Sequence, residues 1–172
     1  MNKTNFLHNL QADNNDNHRL LLWYALKETK GNIVEFGSGW GSTEYLRKYA
    51  KDSRREFMSF DNGEEWAKKH DSTFVPNNDW GSIDVSGGVI LIDHAPGERR
   101  YEDIQRLKDE FDIIVMHDSE PTGAGDYRYE KIWHLFKYRA DVKTNGAWAS
   151  MVSNTIDVTK FKGNSFEQFA IS

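Results

Sequence analysis

The sequence predicts an open α/β fold: a doubly wound, mostly parallel sheet with helices on both faces and a C-terminal antiparallel hairpin. Three observations carry this expectation. Apolar strand-like runs alternate with helical patterns from residue 32 to residue 136. The runs at 32–36, 88–92 and 111–116 are apolar with little alternation, as strands covered on both faces must be. Near the C-terminal end, Asn145-Gly146 stands between two further strand-like runs, a strong signal for a tight antiparallel turn.

The elements follow in order. Residues 11–17 read as a polar loop ending in an Asn or Asp helix cap, and 20–27 as a helix burying Leu22, Ala25 and Leu26 that Lys30-Gly31 terminates. A strand at 32–36 leads through a glycine turn into a helix over about 42–50. A second strand, 56–60, ends in Asp61-Asn62-Gly63, and a short helix follows near 64–69. Residues 72–76 form a third, short strand, and 88–92 a buried one ending in Asp93-His94. Tyr101, Ile104 and Leu107 then recur on one helical face. The strand at 111–116 ends in His117-Asp118. Tyr129, Ile132, Trp133 and Phe136, at i, i+3, i+4 and i+7, predict an amphipathic helix. The hairpin pairs 140–143 with 148–153 around Thr144-Asn145-Gly146.

With 172 residues, the chain is expected to form one domain, residues 1–172, with 1–30 as an N-terminal helical segment and candidate lid. No apolar run approaches the ~20 residues of a membrane span, and the N-terminus lacks a signal-peptide pattern. The absence of cysteine excludes disulfide scaffolds and thiolate metal sites. A cytoplasmic location without a membrane partner is the expectation. The excess of acids, 27 against 22 basic residues, argues against a nucleic-acid backbone as partner. The basic pairs Arg54-Arg55, Lys68-Lys69 and Arg99-Arg100 read as solvated surface. A small molecule is the expected partner, and a homo-oligomer is a candidate assembly.

Open α/β sheets bind ligands beyond the carboxyl ends of their strands, where the strand order reverses. The turn Gly37 to Gly41, Asp61, Asp93-His94 and His117-Asp118 each end a predicted strand. Glycine at 37, 39 and 41 permits a sharp turn and close ligand approach. Ser42 or Thr43 then opens a helix whose free N–H groups favour a polar or anionic group. A dinucleotide fingerprint needs its third glycine at position 42, which is serine. Asp61, 24 residues beyond Gly37 and followed by Asn62, suits ribose hydroxyls; an ordinary turn aspartate is the alternative.

The run Val34-Glu35-Phe36-Gly37-Ser38-Gly39-Trp40-Gly41-Ser42-Thr43 resembles the first motif of class I methyltransferases, an acid followed by Gly-x-Gly-x-Gly in a Rossmann-like fold. The resemblance implies S-adenosylmethionine as cofactor, with Gly37, Ser38, Gly39, Gly41, Ser42 and Thr43 behind its amino-acid part. Glu35 would order the loop or meet the cofactor's ammonium. Asp79-Trp80 falls where the family often places adenine contacts, although a surface loop explains it equally well.

Asp93, His94, His117 and Asp118 are the candidates for chemistry. Methyl transfer to oxygen is an in-line displacement that can also require proton removal, and histidine suits that near neutral pH. Alternatively, two carboxylates at adjacent strand ends can hold a divalent cation such as magnesium. The stretch from Ile92 to Asp118 is similar to a group of small class I O-methyltransferases carrying Asp-Gly-x-His-x-Tyr after the fourth strand and His-Asp after the fifth. It departs in having His94-Ala95-Pro96-Gly97 after Asp93 and two arginines before Tyr101. Asp93 and Asp118 match the positions of metal-binding acids in some relatives, and Asp93 also reaches the cofactor side; a third metal ligand is not evident. Residues 121–127 are expected to border the acceptor pocket.

The leading reading is O-methyl transfer to a small hydroxylated molecule. A cofactor-binding module without transferase activity is the alternative from another class. A nicotinamide oxidoreductase conflicts with Ser42, and a metal-dependent hydrolase leaves the glycine turn unexplained.

Overall fold

The computed structural model describes residues 17–121, 127–143 and 147–161. Most of the expected loop at 11–17, the hairpin turn at 144–146, the middle of the 121–127 segment and the first half of the candidate lid lie outside the described residues.

Seven strands form one sheet in the order β3-β2-β1-β4-β5-β7-β6. They are β1 (Ile33–Phe36), β2 (Phe57–Asp61), β3 (Thr73–Phe74), β4 (Gly87–Ile92), β5 (Phe111–His117), β6 (Tyr138–Val142) and β7 (Ala149–Ser153). Strands β1 to β5 run parallel, whereas β7 lies antiparallel to both β5 and β6. The direction of winding reverses between β1 and β4. The carboxyl ends of these two strands therefore flank the crevice where open sheets take ligands.

Alternating side chains divide the interior into two cores. Ile33, Val89, Leu91, Ile113, Val115 and Met151 face α1 (His18–Glu28) and α2 (Thr43–Ser53). Val34, Phe36, Ile90, Ile92, Ile114 and Met116 face the opposite side, under Trp80 and α4 (Arg100–Leu107). The short α3 (Glu64–His70) follows β2. Expectation and structure agree on the sheet, the glycine turn and the antiparallel pair at the edge.

Three local expectations are corrected. Asn17 makes no side-chain helix cap; it has helical backbone angles, and its amide donates to the Ala147 carbonyl, joining the start of α1 to the approach of β7. Helix α1 buries Leu20, Leu21, Leu22, Ala25 and Leu26 across β4, β5, β6 and β7. It is a layer of the core, and that part of the 1–30 segment is no lid. The helix expected from Tyr129 to Phe136 is two 3-10 turns, Tyr129–Lys131 and Trp133–Leu135, with Phe136 extended. This segment carries the chain from the carboxyl end of β5 back to the opening of β6. An α-helix rises only about 1.5 Å per residue, against about 2.0 Å for a 3-10 turn, so the longer pitch covers more of the return. Tyr129 and Ile132 are still buried, so the apolar stripe meets the core in another backbone form.

At the start of β4, the chain packs so closely that a Cβ on Gly88 would lie 1.8 Å from the Lys30 carbonyl oxygen. Gly88→Ala is therefore expected to destabilise the protein by about 1–3 kcal/mol or more, as overpacked interiors do. Urea unfolding of the purified variant checks this.

Candidate functional site

The glycine turn is built on a buried carboxylate. Glu35, fully buried on β1, accepts hydrogen bonds from Ser42 Oγ, from Thr43 Oγ1 at 2.8 Å and from Ser59 Oγ at 2.6 Å. Ser59 faces it because Glu35 and Ser59 are partners in the β1–β2 register. Burial pushes the Glu35 carboxyl up to about 7, although the three hydroxyls act against the rise. Of the two roles open to Glu35, ordering the loop is the one its contacts serve.

Gly37 adopts φ +93°, and a Cβ there would sit 2.5 Å from the Asp93 carbonyl carbon. This position requires glycine on both counts. Nothing lies within 4 Å of where a Cβ on Gly39 would be, so the space beside that residue is open. Asp61 clasps the turn from β2: its Oδ2 accepts from Ser38 N at 2.9 Å and Ser38 Oγ at 3.1 Å, while Oδ1 accepts from Gly63 N at 2.8 Å. The Trp66 indole donates to the Ser38 carbonyl at 2.7 Å. Trp40, in the turn itself, stays exposed beside Trp66, with the Lys69 ammonium over both rings. Asn62 bonds to Asn78, and Asp79 is exposed on the neighbouring loop. Trp80 does not offer an open wall: it is fully buried, donates to the Ala95 carbonyl at 2.9 Å, and stacks on His94 with centroids 4.2 Å apart.

The two Asp-His pairs separate sharply. His94 is fully buried on the Trp80 side, its Nε2 facing Asp103 at 3.3 Å. Burial holds its pKa below the ordinary histidine value. Asp103 also pairs with Arg99 at 3.1 Å and Arg106 at 3.2 Å. His94 is thus part of a structural cluster and does not reach the cleft, which removes it from the catalytic candidates. His117 takes the other course. Its Nδ1 lies 3.4 Å from Asp93 Oδ1 and 3.3 Å from Asp118 Oδ1. Burial alone would lower its pKa, but the Asp118 and Asp93 carboxylates prevail and push it up to about 10. Burial would raise Asp118, yet His117, Arg100 and Tyr127 hold it at about 2. At neutral pH His117 is an imidazolium, a donor and not the base that its residue type suggests.

Arg100 completes this cluster and was missed by reading the arginine pair as surface. Its guanidinium is buried, with Nη2 3.0 Å from Asp93 Oδ1 and Nη1 3.3 Å from Asp118 Oδ2. Nε donates to the His94 carbonyl at 2.7 Å, and Nη2 also donates to the Asp93 carbonyl at 3.0 Å. The Tyr127 ring lies 4.4 Å from the guanidinium carbon, and the Tyr127 hydroxyl donates to Asp118 Oδ2 at 3.1 Å. The Tyr129 hydroxyl donates to the His117 carbonyl at 3.1 Å, and the His18 ring meets His117 edge-on at 4.8 Å. One sequence signal was available: a cation in the first turn of a helix opposes the helix dipole, so Arg100 needed another reason to be there. Glu120 accepts from Trp148 N at 2.9 Å and braces the approach to β7.

The candidate metal position therefore gains a third donor, since ligand atoms of Asp93, His117 and Asp118 lie within 4.8 Å of one another. A permanent cation nevertheless already stands beside those donors: both carboxylates face the Arg100 guanidinium, at 3.0 Å and 3.3 Å.

No protein-family model matches the chain, and no curated protein does. Solved structures do match. Cofactor-bound Rv0187 from MTB shares 16% identity over 86% of this chain and 84% of its own, with a TM-score of 0.60. The plantazolicin methyltransferase BpumL, in complex with SAH, shares 15% over 88% and 86%, at 0.53. SAH-bound methyltransferase PaMTH1 of Podospora anserina shares 11% over 79% and 76%, at 0.54. The likeness shows the fold: the chain has the Rossmann-like architecture of the class I methyltransferases.

The sign of each titration sets a pH dependence. His117 has a folded pKa above its ordinary 6.5, so its contribution to stability is complete below that value and is lost as pH rises through about 10. Glu35, raised from 4.5 to about 7, loses its contribution earlier on the same rise. Between pH 7 and 10, the thermal midpoint of the native protein is expected to fall more steeply than that of His117→Asn. Scanning calorimetry across that range checks the difference.

Proposed function

We propose that this chain is an S-adenosylmethionine-dependent methyltransferase acting on a hydroxyl oxygen of a small acceptor. The observation that carries the reading is the glycine turn, held from below by Glu35 and from β2 by Asp61, at the reversal point of a class I methyltransferase fold. The cofactor supplies a methyl group activated by its sulfonium. Gly37, Ser38, Gly39, Gly41, Ser42 and Thr43 would back its amino-acid part, with α2 opening directly behind them. Asp61 and Asn62 stand at the β2 end, where ribose hydroxyls are expected; Asp79 is the exposed acid available to an adenine amine.

On the β4–β5 side, the protein's task is mainly to orient the acceptor oxygen for in-line attack. Asp93 is the most open of the three clustered groups, its side chain 27% exposed against 22% for Asp118 and 10% for His117. Asp93 is therefore the group proposed to accept the acceptor's hydroxyl proton. The His117 imidazolium and Arg100 keep the Asp93 carboxylate in place. Neither His94 nor a divalent cation has a step in this scheme.

Calorimetric titration is expected to show binding of S-adenosylhomocysteine and none of NADH; the reverse would defeat the reading. Binding without turnover over a broad panel of hydroxylated acceptors would favour a cofactor-binding module. Asp61→Ala is expected to weaken S-adenosylhomocysteine binding by about 1–3 kcal/mol, through loss of charged hydrogen bonds to ribose and to the turn. Asp93→Asn is expected to lower turnover by roughly 10²-fold or more, a larger loss than any it causes in S-adenosylhomocysteine affinity. Methyl-transfer assays under single-turnover conditions measure this.

A further inference from the structure

Two acids at neighbouring strand ends beside a histidine make a donor set that a divalent cation could use, yet the structure fills the space between them with protein. The Arg100 guanidinium lies between Asp93 Oδ1, 3.0 Å away, and Asp118 Oδ2, 3.3 Å away. It is anchored there by the backbone: Nε donates to the His94 carbonyl at 2.7 Å, Nη2 to the Asp93 carbonyl at 3.0 Å and Nη1 to the His117 carbonyl at 3.5 Å. The carbonyls belong to the exits of both β4 and β5, so the side chain ties the two strand ends together. Tyr127 covers one face of the guanidinium at 4.4 Å, and Gly97 makes room for that ring: a Cβ on Gly97 would lie 2.3 Å from it. Arg100 is only 6% exposed.

We propose that Arg100 takes the place of a divalent cation in this site, its guanidinium pairing Asp93 with Asp118 so that the acceptor end of the cleft is assembled without metal. Three physical points support the assignment. Guanidinium is charged at every accessible pH, so its hold on the two acids does not depend on supply of an ion. Its planar fork offers five donors, and here they divide between two carboxylates and three carbonyls; a lysine ammonium would keep the charge beside the acids with only three donors. Two half-buried carboxylates facing one another would repel without a cation, and once the guanidinium stands between them, a doubly charged cation would meet repulsion from it. Because it is buried behind the acids, Arg100 acts through them: it is a positioning residue that fixes Asp93 toward the acceptor. This last role rests on the methyltransferase reading, whereas the exclusion of metal does not.

Manganese titration followed by electron paramagnetic resonance tests the assignment on the full chain. Native protein is expected to show no saturable Mn²⁺ site, and its turnover is expected to be unchanged by chelator. Arg100→Gln, which frees the Asp93, His117 and Asp118 donors, is expected to bind Mn²⁺ at least tenfold more tightly than native protein, and Asp93→Asn on that background to lose the site. Arg100→Lys retains the charge and is expected to gain no site. A saturable Mn²⁺ site in native protein that Asp93→Asn abolishes would overturn the proposal. So would failure of Arg100→Gln to gain a site while it still binds S-adenosylhomocysteine, or a gained site in Arg100→Lys. If Arg100→Gln does not fold, the native titration decides alone. Failure of native protein to bind S-adenosylhomocysteine would instead count against the methyltransferase reading and leave the manganese result standing.

Discussion

Burying a carboxylate under the first strand end is costly unless its oxygens are satisfied, and in this protein the means of satisfying Glu35 organise the cleft. The three partners come from two elements: Ser42 and Thr43 where α2 begins, and Ser59 on β2. Meeting the needs of one buried acid therefore fixes how the chain leaves β1, where the next helix starts, and how β2 stands beside them. The clasp from Asp61 to Ser38 then adds the β2 end to the same unit. With Gly37 pressed against the Asp93 backbone, the turn has little freedom to collapse into the cleft, and the space beside Gly39 stays open.

The β4–β5 side has a different logic. There, opposite charges from separate segments meet in a partly desolvated place. Asp93, His117, Asp118 and Arg100 neutralise one another, and the two tyrosines that follow in the chain close over them. On the other face of the sheet, His94, Asp103, Arg99 and Arg106 form a second ionic group, centred on the fully buried Asp103. Each histidine has a buried acid for company, but their charges differ. A single carboxylate does not outweigh the desolvation of His94, whereas two carboxylates hold the proton on His117. The chemistry available to each follows from that count.

Much of the framework could be read from residue order. Val-Ile-Leu-Ile at 89–92 has few alternatives to a doubly covered strand, and glycine at 37 is demanded by a backbone angle that side chains rarely adopt. The Asn-Gly signal implied an antiparallel pair, and β6 and β7 form one. Elsewhere, local pattern and final structure diverged for identifiable reasons. The stripe Tyr129, Ile132, Trp133 and Phe136 has helical spacing, but the chain buries Tyr129 and Ile132 from two 3-10 turns, because burial of apolar side chains does not require the α-helical form. Asp79-Trp80 looked alike from the outside, yet the acid is exposed and the indole fully buried against His94.

What the sequence determined by itself was the set of strand ends and the acids that stand on them, because alternation, glycine and turn residues act over a few neighbouring positions. Which histidine carries a charge, and whether Arg100 is solvated or enclosed, was decided only by the tertiary structure. Those outcomes depend on distances between groups as far as 25 positions apart in the chain, such as Asp93, Arg100, His117 and Asp118, and on how much water folding leaves around them. Neither quantity exists until β4 and β5 lie side by side and Tyr127 covers the guanidinium.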